Sequence, residues 1–160
     1  MFEASTIDTA DKVEFHRQLA QQAEGLFDGE TDMIANAANL SALIYQMMPD
    51  LNWAGLYLLK GEQLVLGPFQ GKPACVRIPV GRGVCGTAVE RKASILVEDV
   101  HAFPGHIACD AASRSELVVP IFRHGEVIGV IDLDSPRPSR FDMDDQAGIE
   151  RLAEIFAASF

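Results

Sequence analysis

Residues Glu116–Asp134, ELVVPIFRHGEVIGVIDLD, decide the fold. Two apolar runs rich in β-branched residues, ELVVPIF and VIGVIDLD, flank the polar RHGE, which predicts a β-hairpin of open loop length. Asp132 and Asp134 are two apart in a strand and share a face. Glu116 joins them or not according to the turn. A two-residue turn at His124-Gly125 pairs Glu116 with Leu133 and sends it to the opposite face. A three-residue turn, with Gly125 in the left-handed position, shifts the register by one and gathers all three acids.

Working backwards, SILVED, ACVRIPV, LVLGPF and WAGLYLL read as further strands, with KGEQ as the turn between the last two. The glycine-punctuated GRGVCGTAVERK opens into a short helix, and the stretch after SILVED is a long loop. Two helical patterns precede the strands. Phe15, Leu19, Ala23 and Leu26 share one face, with Asp8 or Thr9 as the cap. Met33, Ala37, Leu40, Ile44 and Met47 share another, capped by Thr31. At the C-terminal end, Ile149, Leu152, Ala153, Phe156 and Phe160 form the stripe of a helix capped by Asp142. Hairpins between terminal helices imply an α+β fold. An antiparallel sheet of about six strands would carry the N- and C-terminal helices on one face, and loops with a short helix on the other. The divisions are residues 1–30 and 31–48 for the first two helices, 52–135 for the sheet and active-site loops, and 142–160 for the last helix, all within one domain, 1–160.

The 160 residues, 48% hydrophobic and 22% charged, suit a single globular domain. A net charge of −10 argues against nucleic acid, whose phosphates require Lys and Arg. Residues 1–32 and 142–160 hold 13 of the 23 acids and 3 of the 13 bases, as solvated helix faces would. No window approaches a membrane span, and MFEASTIDTADKVEF lacks the cationic start and apolar core of a secretion signal. A cytoplasmic location is therefore expected, and three cysteines in a reducing compartment build no disulfide framework.

The unusual chemistry lies in FPGHIACDAASRSE, Phe103–Glu116. His101, His106, Cys109 and Asp110 are all metal-ligand types, but their spacing matches no common zinc pattern. A free cysteine is most often a small buried hydrophobe. The polar neighbours of Cys109 and its place in a long loop weaken that alternative. Cys75, at the start of the ACVRIPV strand, and Cys85, between glycines, read as structural unless Cys75 and Cys109 meet in space. Three acids in one pocket repel one another unless a cation or a shared proton joins them. Trp53 and Tyr57, four apart on one strand, share a face and can wall such a site, although strand aromatics are commonly core.

The stretches NWAGLYLL, LVLGPFQGKPACVRIPVGRGVCGTA, VEDVHAFPGHIACDAASRSELVVPI, GEVIGVIDLDSP and RFDMDD resemble the free methionine-(R)-sulfoxide reductases, small enzymes built on a single GAF domain. The resemblance runs from about Asn52 through the last helix. It implies an oxidoreductase acting on the free amino acid, with no bound cofactor. The ammonium group would lie on Glu116, Asp132 and Asp134, and the methyl end against Trp53 and Tyr57. It also implies Cys109 as nucleophile, Cys75 as resolving residue, Cys85 as an alternative resolving or relay residue, and Glu116 as a candidate proton donor. A sulfenic acid would form, then a disulfide that thioredoxin or another dithiol reduces. A homodimer is left open. Asp110 and Glu116 should oppose ionisation of Cys109, with Arg114, His106 or backbone N–H groups as candidates to offset them. The alternative is a non-catalytic GAF sensor binding a small molecule, which would be expected to accompany an output domain for which this chain leaves no room. An interaction protein would leave the cysteines unexplained.

Overall fold

The structure, a computed structural model, describes residues 2–160. Helices α1 (Lys12–Phe27), α2 (Met33–Met47), α3 (Gly83–Arg91) and α4 (Met143–Ala157) surround six strands. These are β1 (Trp53–Lys60), β2 (Gln63–Gly71), β3 (Arg77–Pro79), β4 (Ile95–Val97), β5 (Ser115–Arg123) and β6 (Glu126–Ser135). Every pairing is antiparallel, in the order β3-β2-β1-β6-β5-β4. The two longest hairpins therefore meet at the centre of the sheet, where β1 lies against β6.

Strand alternation sorts the side chains into two cores. Ala54, Leu56, Leu117, Val119, Ile131 and Leu133 face Leu19, Leu40, Ile44, Ile149 and Phe156 of the helical layer. Trp53, Tyr57, Val118 and Val130 face the other way, beneath Val84, Cys85 and Ala88 of α3.

The first two helices start later than their sequences suggest. Asp11, not Asp8 or Thr9, caps α1 by accepting from the N–H groups of Val13 and Glu14. Thr9 instead accepts from the N–H of Asp11 and stands one step outside the cap. Asp32, not Thr31, caps α2, because the Glu30 carboxylate takes the N–H groups of Thr31 and Asp32. At α4 the expected cap Asp142 holds, in a reciprocal box with Asp145.

Asp145 also anchors the helical layer. It is almost fully buried and meets Lys12 at 2.6 Å, His16 at 2.9 Å and Arg140 at 3.3 Å. Burial alone would raise its pKa, but hydrogen bonds from His16, Lys12 and the Asp142 backbone, with the Arg140 charge, hold it well below the usual carboxylate range. Gly148 is required beside this cluster, since a Cβ there would run into the His16 ring. His16 falls outside the apolar stripe expected for α1.

Candidate active site

The hairpin register combines features of both expected alternatives. His124 and Gly125, at φ 52° and 78°, make a two-residue turn, with Arg123 opposite Glu126. A register shift follows at once: Phe122 faces Val127, but Ile121 faces Gly129. Ile128 is thus the extra residue of a bulge, and Glu116 comes to lie opposite Asp134. The bulge, not a three-residue turn, brings Glu116, Asp132 and Asp134 to one face.

Across the central pairing, Trp53 faces Asp134 and Gly55 faces Asp132. Gly55 lacks the Cβ that would strike Trp53 and Phe69, so the indole lies flat between Tyr57 and Phe69 at centroid distances of 5.8 and 5.2 Å. Both polar tips on this wall reach the same segment. The Trp53 indole N–H donates to the Lys72 carbonyl at 3.1 Å, and the Tyr57 hydroxyl to the Cys75 carbonyl at 2.9 Å. Burial, with the charges of Asp132, Cys85, Asp134 and Glu116, pushes the phenol pKa far up, so Tyr57 stays a donor. Cys75 does not open a strand as expected. It sits two residues before β3, in a loop tethered by these aromatic residues.

Cys75 and Cys109 form a disulfide with their Cα atoms 5.6 Å apart, within the usual range for such a bond. Cys85 is a free, buried thiol in the first turn of α3, where Gly86 permits close contact with the Pro79 carbonyl. The bridge closes one side of a pocket whose walls include Trp53, Tyr57, Cys85, Glu116, Asp132 and Asp134. About 40 Å³ remains inside, room for a few waters and not for an amino acid.

Glu116 and Asp132 are each 6% exposed. Burial raises both pKa values well above the ordinary range; Asp134 pushes Glu116 further, and Glu116 pushes Asp132. The two carboxyl groups influence each other's ionisation and so titrate as a coupled pair. Burial raises Asp134 as well, followed by the charges of Asp132 and Asp110. Asp132 Oδ1 is buried without a hydrogen-bond partner.

The loop around Cys109 answers part of the expected electrostatic conflict. Asp110 is not a loose charge beside the sulfur. Its oxygens accept from the Ala112 N–H at 2.9 Å and the Asn52 side chain at 3.0 Å, and the first of these lowers its pKa most. His106 lies 3.5 Å from Glu116, but burial lowers its pKa, so near neutral pH it brings no full positive charge. Arg114 is exposed at the base of β5. His101 is also exposed and stays apart from any ligand cluster; His106, Cys109 and Asp110 form none among the described residues.

Asn52 is a site residue to which the sequence attached no role. Its amide also donates to Ser113 Oγ at 3.0 Å, so it latches both ends of the Asp110–Ser113 turn to the start of β1. The only signal for it was its position directly before Trp53.

A GAF domain family model matches residues 22–160. The free methionine-R-sulfoxide reductase of Escherichia coli is 55% identical over 88% of this chain and 86% of its own length. The yeast (Saccharomyces cerevisiae) enzyme of the same name is 44% identical over 92% of this chain and 87% of its own. The structure of the Neisseria meningitidis free methionine-R-sulfoxide reductase in complex with its substrate superposes with a TM-score of 0.95 at 42% identity, covering 100% of this chain and 96% of the other.

Proposed function

The chain belongs to the GAF-domain free methionine-(R)-sulfoxide reductases, and we propose that it reduces free L-methionine-(R)-sulfoxide through Cys109, with Cys75 as the resolving thiol. It is an oxidoreductase of the free amino acid. The observation that carries the finer assignment is the Cys75–Cys109 bridge on the rim of a pocket lined by the three carboxyl groups of Glu116, Asp132 and Asp134.

The Cys109 thiolate attacks the sulfoxide sulfur while the oxygen takes a proton, which the Glu116/Asp132 pair in the same pocket, with raised pKa values, can supply. Methionine leaves, and the oxygen passes to Cys109 as sulfenic acid. The Cys75 thiol then displaces that oxygen as water, forming the disulfide. An external dithiol, for which thioredoxin is the natural candidate, supplies the two electrons that restore both thiols. The substrate ammonium would lie on Glu116, Asp132 and Asp134. Its methyl end would lie against Trp53 and Tyr57, whose stacked faces supply apolar contact.

We assign Cys85 no step in this cycle. Its buried sulfur is unpaired while Cys75 and Cys109 are joined, and burial followed by the charges of Asp132, Glu116 and Asp134 raises its thiol pKa.

The test is thiol-dependent consumption of free methionine sulfoxide, first in a single turnover with pre-reduced enzyme and then with thioredoxin recycling. Cys109→Ser should release no methionine. Cys75→Ser should release about one equivalent and then stall at sulfenic acid. The converse pattern would reverse the two roles.

A further inference from the structure

An ammonium group explains three acids; it does not explain a thiol among them. The sulfur of Cys85 and one carboxyl oxygen each from Glu116 and Asp132 lie within 4.8 Å of one another. All three residues are buried, at 4%, 6% and 6% exposure. Sulfur is a poor acceptor for an ammonium but a preferred ligand for zinc and cadmium. Ligand atoms around a tetrahedral zinc stand roughly 3.3–3.8 Å apart, given bonds of about 2.0–2.3 Å. Small side-chain rotations therefore suffice to close the set. Asp132 Oδ1, buried on the pocket wall without a hydrogen-bond partner, independently offers a free acceptor there. Cys85 is the third residue of α3; burial and the neighbouring acids hold it as the thiol, so metal binding must displace its proton and should strengthen as pH rises.

We propose that Cys85, Glu116 and Asp132 bind a thiophilic divalent cation, zinc or cadmium, which occupies the place of the substrate ammonium and blocks the pocket without touching Cys109. Magnesium and calcium are poor candidates, because they prefer more oxygen ligands than this set offers and do not use sulfur. The competition with substrate rests on the ammonium assignment above; the binding of metal does not.

The experiment uses the oxidised full chain. With Cys75 and Cys109 bridged, Cys85 is its one thiol. Cadmium titration should raise a sulfur-to-cadmium charge-transfer absorption that saturates at one equivalent. In Cys85→Ser that band should vanish and calorimetric affinity should fall about 100-fold, because the soft ligand is gone. In Asp132→Asn, which keeps the thiol, the band should persist with affinity weaker by about tenfold. No band in the wild type, or an unchanged band in Cys85→Ser, overturns the site. Trp53 is the single tryptophan and lines the pocket, so its fluorescence reports methionine binding separately. This arm uses Cys75→Ser/Cys109→Ser, in which no bridge can close the pocket and Cys85 remains the one thiol; methionine should perturb the fluorescence of that metal-free variant and not of its one-to-one cadmium complex. A normal response in the complex overturns the competition, whereas no response even without metal faults the ammonium assignment and leaves the cadmium band to be judged alone.

Discussion

Acetylating the substrate nitrogen should abolish most of its reactivity. The free amino acid brings an ammonium that can meet several carboxyl oxygens at once through charge-assisted hydrogen bonds. N-acetyl-methionine sulfoxide brings a neutral amide and an added acyl group. The affected charge can be counted from the structure. Glu116 and Asp132 are each 6% exposed, and at least one buried carboxylate of this coupled pair must be charged to hold the ammonium. Asp134 is only partly enclosed and keeps some access to water. Leaving one buried charge without its partner costs about 3–5 kcal/mol, which at about 1.4 kcal/mol per decade is hundreds- to thousands-fold in kcat/KM. The assay compares kcat/KM for free L-methionine-(R)-sulfoxide and its N-acetyl derivative under identical thiol recycling. Values within a fewfold of each other would refute both the ammonium pocket and the exclusion of peptide-bound substrate.

Asp132→Asn and Asp134→Asn should mainly raise KM, whereas Glu116→Gln should also lower kcat, as a split of the two parameters would reveal. Tyr57→Phe removes the hydroxyl that holds the Cys75 carbonyl; methionine release in the first turnover should survive while disulfide formation slows, measured by quenched-flow thiol counting. The loop from His101 to Arg114 should exchange amide hydrogens faster in reduced than in oxidised enzyme, because the bridged pocket leaves about 40 Å³ and a substrate needs more. Equal exchange would count against a loop that opens. Asp145 has a depressed folded pKa, so its stabilisation is complete above the usual carboxylate range and is lost as pH falls through that range toward the folded value. Asp145→Asn should lower stability by about 3–5 kcal/mol at neutral pH and flatten the acid limb of the denaturation profile.

How far the sequence reveals the site depends on the physical reach of each feature. Strand alternation is local, so the shared faces of Trp53 with Tyr57 and of Asp132 with Asp134 follow from spacing alone. The helix stripes follow similarly, and they place the helical layer on one side of the sheet. The caps at α1 and α2 are misplaced because several neighbouring residues could cap, and the choice falls to side chains such as Glu30 that compete for the same N–H groups. Glu116 is harder still. Its face depends on a bulge at Ile128, and an isoleucine in an apolar strand carries no local mark of being the unpaired residue. The bulge is decided by non-local packing, because only the shifted register buries Leu117, Val119 and Ile121 under the helices together with Ile131 and Leu133. The register that completes the apolar core is also the one that sends Glu116 to the pocket, opposite Asp134. Acid clustering at the site is therefore enforced by the hydrophobic side of the same two strands. A substitution that weakens packing beneath the hairpin, such as Ile121→Ala, should loosen the carboxyl set without touching it.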